Sequence, residues 1–103
     1  MINKIPTLDE KTSHLLTHLF QAHEQVSEVL LYGSRAKGTH HERSDIDLVI
    51  RSSEIDWYLL AKIQFEIDNS DIPYVVDLSV LENIKNEGLL AHIRQVGKLV
   101  YKR

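Results

Sequence analysis

The sequence predicts an α/β fold, in which helices pack against a β-sheet. Short apolar runs of strand length alternate along the chain with longer stretches of helix length, a pattern typical of a sheet covered by helices. The composition, with 43% hydrophobic and 26% charged residues, is that of an ordinary globular domain. The length of 103 residues suits a single hydrophobic core. We therefore expect one domain spanning residues 1–103.

The first helix is predicted to begin after Thr7 and to end near His23. Thr7 can serve as its N-cap, with Pro6 before it and Glu10 three residues later, which completes a capping box. The spacing of its apolar residues marks one face of a helix, formed by Leu8, Leu15, Leu16, Leu19 and Phe20.

The remaining elements alternate between strand and helix. Gly33 ends the first strand, Ser34 can cap the short helix that follows, and Gly38 ends that helix. Asn69–Pro73 forms a turn, and Gly88 is a weak point in the last helix. In chain order we predict a strand over Val26–Tyr32, a short helix over residues 35–37, a polar loop over residues 39–44, a strand over Asp45–Arg51, a helix over Ile55–Ile67, a strand over Tyr74–Val80, a helix over Leu81–Ile93 and a last strand over Leu99–Tyr101.

Composition also excludes several classes of function. The chain has no cysteine, which rules out disulfides and thiolate metal sites. No apolar stretch approaches the ~20 residues that cross a bilayer, and residues 1–6 lack the features of a secretory signal. We therefore expect a cytoplasmic protein with no membrane partner. The formal net charge of −3 disfavours direct nucleic-acid binding, because phosphate contacts need a basic surface.

Asp45 and Asp47 flank a single apolar residue at the start of the second strand. Because strand side chains alternate between faces, both carboxylates project from the same face. Asp77 lies in the third strand between apolar neighbours, so three carboxylates converge if the two strands are adjacent and in register. Two carboxylates ~6 Å apart repel by roughly 3 kcal/mol at an effective dielectric near 20, and Mg²⁺ relieves this repulsion while bridging to phosphates. The alternative is that Asp45 caps a loop and the other two make unrelated hydrogen bonds.

Gly33 and Ser34 lie at a strand-to-helix turn, with ten residues between them and the Asp pair. Glycine lacks the Cβ that would keep a phosphate from the backbone, and the start of the helix offers N–H groups to an anion. The Ser34 hydroxyl can donate to a phosphate oxygen. Arg35 and Lys37 would lie near the phosphates, although solvated surface charge explains them equally well. An ordinary turn is the alternative, and a Walker A loop is excluded because no Lys-Ser/Thr follows Gly38.

These motifs resemble those of the DNA polymerase beta-like nucleotidyltransferase superfamily. The resemblance rests on Gly33–Gly38, Ser44–Leu48 and Val76–Leu78, and it extends from the first helix to Leu99–Tyr101. The short chain looks like the minimal nucleotidyltransferase (MNT) branch. The resemblance implies a single-domain nucleotidyltransferase fold with a small mixed β-sheet and flanking helices.

The same resemblance implies a magnesium-dependent enzyme that transfers AMP from ATP to a hydroxyl. Gly33 and Ser34 would hold the triphosphate, and Asp45 and Asp47 would bind magnesium. Asp77 would be the third metal-binding carboxylate and the base toward the hydroxyl. That hydroxyl would attack the α-phosphorus in line and release pyrophosphate, with two Mg²⁺ ions ~3.5–4 Å apart at the attacking and leaving oxygens.

A protein partner is also implied. Larger relatives carry a further domain that holds the acceptor, for which 103 residues leave no room. MNT proteins commonly pair with small helical HEPN-domain toxins, which are RNases. The resemblance implies that the chain is an antitoxin that silences such a toxin by transferring AMP to one of its tyrosines. Two alternatives stay open. The chain could be a non-catalytic antitoxin that occludes the toxin by binding, or the catalytic subunit of a two-protein enzyme acting on a small molecule or RNA.

The helix predicted over Ile55–Ile67 is apolar nearly all round, more than covering one sheet face requires. Trp57 and Tyr58 could form an exposed patch for a partner or for a second copy in a homo-oligomer. The alternative is that the core buries them.

The histidines give weaker signals. His14 and His18 have a spacing that can chelate zinc, but no third ligand is evident. His40 and His41 lie between the two motifs, where they could contact the nucleotide or a metal, but they are best interpreted as part of a solvated loop. His92 is predicted near the end of the last helix, where it would interact favourably with the helix dipole.

Overall fold

A four-stranded sheet forms the centre of the molecule. The computed structural model describes residue 5 and residues 7–103. Over these residues the strands are β1 (Glu28–Tyr32), β2 (Ile46–Arg51), β3 (Val76–Val80) and β4 (Lys98–Lys102). The helices are α1 (Glu10–Gln21), α2 (Gly33–Lys37), α3 (Trp57–Asp68) and α4 (Glu87–Val96), with a short 3-10 turn at Leu81–Asn83.

The strand order in the sheet is β3-β2-β1-β4. β1 pairs antiparallel with both β2 and β4, whereas β2 and β3 run parallel. Parallel neighbours cannot be joined by a tight turn, and here α3 supplies the connection. The predicted α/β class, with a small mixed sheet and flanking helices, is confirmed.

One face of the sheet holds the main core. Leu31, Leu48 and Leu78 lie side by side in the strand register and are buried beneath α1 and α3. Phe20 from α1 and Ile63 from α3 are completely buried against this face. Each such side chain contributes about 1.5–3 kcal/mol relative to exposure, so this layer fixes the register of the three strands.

The opposite face carries the polar residues of interest. Because strand side chains alternate, Tyr32, Asp47 and Asp77 project away from the main core, and the register places them in one row across the sheet. Next to this row, α4 packs through Ile93 on Val49.

The predicted start of the first helix is wrong in detail. Asp9, not Thr7, is the N-cap of α1, and its carboxylate accepts a hydrogen bond of 3.2 Å from the Thr12 N–H. Thr7 has a φ of 67°, outside the helical region, and its hydroxyl donates to the main-chain oxygen of Arg35. Pro6 lies outside the described residues.

Other boundaries shift because different residues cap the helices. Ser34 is not the cap of α2, which begins at Gly33. Asp56 caps α3, so this helix starts at Trp57 rather than Ile55. Asn86 caps α4 by accepting from the Leu89 N–H, which divides the helix predicted over Leu81–Ile93 into the 3-10 turn and α4. None of the helices in the described residues has the length and apolar character needed to span a membrane.

Candidate active site

Three carboxylates meet at one end of the sheet. The parallel register of β2 and β3 places Asp47 directly beside Asp77, and Asp45 precedes β2 by one residue. Burial raises the pKa of the Asp47 carboxyl, and the negative charges of Asp77 and Asp45 raise it further. The structure therefore places Asp47 and Asp77 side by side, with Asp45 near enough for its charge to act on Asp47.

The donor set fits a divalent cation that also binds phosphate. Among the described residues, no group of three or more His, Asp or Glu side chains is arranged as a ready-made metal cage. Mg²⁺, however, commonly uses one or two carboxylates and takes its other ligands from substrate phosphates and water. The raised pKa of Asp47 reflects burial of its carboxyl first and the negative charges of Asp77 and Asp45 second. A bound cation at these carboxylates would relieve that repulsion.

Gly33 approaches Asp47 more closely than any other residue type would allow. Its φ is 75°, in the left-handed region that favours glycine, and a Cβ at this position would lie 2.2 Å from Oδ2 of Asp47. The register explains the proximity, because β1 ends at Tyr32, the partner of Asp47. Glycine is thus required here for both conformation and space.

Ser34 and Lys37 lie on α2, directly after this glycine. Ser34 is half-buried, whereas Lys37 is exposed. With only five residues, α2 can add little dipole charge, so individual N–H and hydroxyl donors would have to bind a phosphate. Contact of either residue with a nucleotide stays a prediction.

The sequence places Arg35 near the phosphates, but the structure buries its side chain instead. It is only 3% exposed, and its guanidinium donates to the main-chain oxygens of Thr7, Glu42 and Ser44 at 3.0–3.1 Å. The same group stacks on the Tyr74 ring, 4.6 Å from its centroid. Arg35 therefore holds the loop before Asp45 in place, and its donors are used within the protein.

Replacing Arg35 with Met should destabilise the fold by about 2–4 kcal/mol, because the carbonyls it satisfies lose a charged donor. Urea unfolding measures this difference. Arg43→Met is the matched control, since Arg43 lies exposed on the same loop and its loss should cost less than about 0.5 kcal/mol. Equal losses in the two variants would contradict the role assigned to Arg35.

His92 is the site residue that the sequence interpretation misplaced. It lies inside α4 rather than in the last turn, and its Nε2 accepts a hydrogen bond of 3.1 Å from the Gly33 N–H. Its ring meets that of Tyr32 edge-on, with 6.2 Å between the ring centroids. The available signal was its spacing, because Leu89 and Val96 lie on the sheet-facing side of the same helix.

The other histidines are peripheral. His14 and His18 are exposed on α1, and the described residues provide no third ligand for a metal there. His41 is an exposed loop residue whose N–H donates to the Ser44 hydroxyl. His40 is half-buried in the same loop.

Aromatic residues on α3 are exposed rather than buried. Trp57 is 79% exposed, Tyr58 65% and Phe65 66%. Tyr58 and Phe65 are seven residues apart, about two turns, and so lie on the same side of the helix, and the Trp57 ring contacts that of Tyr58. The structure thus decides the question that the sequence left open, in favour of an exposed apolar surface.

Residues 15–103 match the model of the polymerase beta nucleotidyltransferase family. The chain belongs to this family. The match includes the Gly33–Ser34 turn, the three carboxylates and α4. A search of curated proteins found no match to this nucleotidyltransferase.

Solved structures share the nucleotidyltransferase fold. One is a toxin–antitoxin with AMP-PNP, at a TM-score of 0.70 and 23% identity, covering 93% of this chain and 75% of that chain. Another is a tri-AMPylated Shewanella oneidensis HEPN toxin in complex with an MNT antitoxin, at a TM-score of 0.69 and 16% identity, covering 93% of this chain and 74% of that chain. A third is the toxin–antitoxin MntA-HepT, at a TM-score of 0.59 and 19% identity, covering 92% of this chain and 74% of that chain.

Proposed function

We propose that this nucleotidyltransferase moves AMP from ATP to a tyrosine hydroxyl of a HEPN-domain toxin, in a magnesium-dependent reaction that silences the toxin. The observation that carries the proposal is the Asp47–Asp77 pair beside the Gly33–Ser34 turn. Family membership supports nucleotidyl transfer. The partner is supported by similarity in fold to a tri-AMPylated HEPN toxin in complex with an MNT antitoxin. A toxin–antitoxin with AMP-PNP, which is also similar in fold, supports the nucleotide.

Each residue of the site would have a distinct task. The Ser34 hydroxyl would donate to the triphosphate, and Lys37 would offset the charge of the leaving pyrophosphate. Asp45 and Asp47 would hold Mg²⁺, which when bound neutralises charge on the phosphates. Asp77 would accept the proton of the tyrosine hydroxyl. The hydroxyl oxygen would then bond to the α-phosphorus as the bond to pyrophosphate breaks.

Intact mass of the proposed HEPN partner tests the proposal. Incubation with the chain, ATP and Mg²⁺ should add whole AMP units to the HEPN protein, and EDTA should prevent the addition. A stable complex without added mass would point instead to an antitoxin that acts by occlusion. If labelled AMP appears on a small molecule or RNA and not on the partner, the chain is the catalytic subunit of a two-protein enzyme.

The exposed aromatic residues of α3 offer a surface for this partner. Replacing both Trp57 and Phe65 with Ala should weaken binding of the HEPN protein by about thirtyfold or more, because large exposed aromatics are frequent binding hot spots. Since both side chains are mostly exposed, the fold should be retained. Isothermal titration calorimetry measures the affinity, with Leu99→Ala on β4 as the control. Unchanged affinity in the double variant would place the partner elsewhere.

A further inference from the structure

His92 connects α4 to the turn at the end of β1. The Gly33 N–H donates to Nε2 of His92 across 59 residues of sequence, at 3.1 Å. The imidazole is half-buried and lies edge-on to Tyr32, with 6.2 Å between the ring centroids. Two contacts thus fix the position and the orientation of this ring.

The hydrogen bond also fixes the tautomer of His92. A main-chain N–H can only donate, so Nε2 must carry the lone pair and the proton of the neutral ring must be on Nδ1. An exposed imidazole can exchange between tautomers, whereas this one is held in one form as long as the bond exists.

The bonded glycine controls the geometry of the predicted nucleotide-binding turn. Gly33 has a φ of 75° and lies against Oδ2 of Asp47. Asp47 therefore limits the turn on the sheet side, and His92 holds it on the α4 side. Ser34 follows directly, so any shift of Gly33 moves its hydroxyl relative to the carboxylates.

We propose that His92 is a positioning residue of this site, which as the Nδ1–H tautomer holds the Gly33–Ser34 turn beside Asp47. The inference deepens the proposed function and rests on it for its consequence in catalysis. The hydrogen bond itself can be tested without any reaction.

The first test is the tautomer in the intact chain. Long-range ¹H–¹⁵N NMR spectra at about pH 8, where an ordinary imidazole is neutral, should show a protonated Nδ1 and an unprotonated Nε2 for His92. His14 and His18, both exposed, serve as internal references. A protonated Nε2 at His92 would overturn the proposal, whatever the chain transfers.

The second test distinguishes the hydrogen-bond acceptor of His92 from its aromatic ring. His92→Phe keeps an aromatic ring near Tyr32 but removes the acceptor, whereas the side-chain oxygen of His92→Gln can still accept from Gly33. We expect His92→Phe to weaken binding of a non-hydrolysable ATP analogue with Mg²⁺ by about tenfold, the loss of one hydrogen bond. His92→Gln should retain most of the affinity.

The KM for ATP in the transfer assay should rise more in His92→Phe than in His92→Gln. Equal nucleotide affinities in the wild type and His92→Phe would overturn the positioning role. Equal losses of affinity in His92→Phe and His92→Gln would overturn it too. If the wild type binds the analogue but modifies no HEPN protein, the proposed acceptor fails while the role of His92 is still decided by nucleotide affinity. The tautomer measurement keeps the proposal testable even if His92→Phe does not fold.

Discussion

Replacing Asp47 with Asn should abolish AMP transfer, by at least about 10³-fold, without disrupting the fold. Asp47 is the central member of the row, with Tyr32 on one side and Asp77 on the other. Asn keeps the size of the side chain but loses the charge that a divalent cation needs, which is worth several kcal/mol at the transition state. Intact mass of the HEPN protein gives the readout, and Asp71→Asn, in an exposed turn, is the control.

The same substitution should leave stability at pH 7 unchanged or increased. Burial and the neighbouring carboxylates raise the pKa of Asp47 above its reference value of 3.8. A raised carboxyl pKa means that the folded state loses stability as the pH rises through that pKa. Asn removes this loss, so the melting temperature of Asp47→Asn should equal or exceed that of the wild type at pH 7, and the difference should shrink below about pH 4.

Addition of Mg²⁺ with ATP should make the wild type more stable than Asp47→Asn. Ligands that bind only the folded state raise its melting temperature, so the wild type should gain more than the variant. A clearly less stable Asp47→Asn at pH 7 would contradict the electrostatic account. An equal gain in both proteins would show that Asp47 does not hold the cation.

Gly33→Ala should reduce transfer by about 100-fold or more. The new Cβ would lie 2.2 Å from Oδ2 of Asp47 and would push this carboxylate out of place. Misplacing a catalytic group by about 1 Å can cost 10²-fold. The left-handed backbone adds a strain of about 1–2 kcal/mol, which should appear as a loss of stability in urea unfolding.

Gly38→Ala is a closely matched control. Gly38 ends the same helix with a φ of 80°, but nothing lies within 4 Å of a Cβ built there. Both variants therefore carry the left-handed strain, and only Gly33→Ala disturbs Asp47. Similar stability losses with a large difference in transfer would support the close approach of Gly33 and Asp47. Similar losses of transfer in both would indicate that backbone strain alone is responsible.

Much of the site was predictable because its signals are local. Alternation along a strand places Asp47 and Asp77 away from the apolar residues that flank them, and glycine before a short helix indicates a special turn. The helix caps were predicted less well, because several nearby residues can cap. Asp9, Asp56 and Asn86 act as caps where the sequence pattern favoured other boundaries.

The roles of Arg35 and His92 could not be predicted from nearby residues. Arg35 binds the main chain of Thr7, 28 residues away, and His92 binds Gly33 from a separate helix. Both look like ordinary helix residues in the sequence, because the partner of each depends on how the helices pack. The exposure of Trp57 is of the same kind, since the pattern of α3 alone does not say which side meets the sheet.

The sequence by itself determined the α/β class, the acids and the glycine turn, because alternation and turn chemistry act over a few residues. Only the tertiary structure decided that Asp47 lies beside Asp77, because parallel pairing depends on the crossover through α3. The tertiary structure also decided that Arg35 binds the loop before Asp45 and that His92 binds Gly33. Those assignments require groups distant in sequence to meet, and packing of the core brings them together.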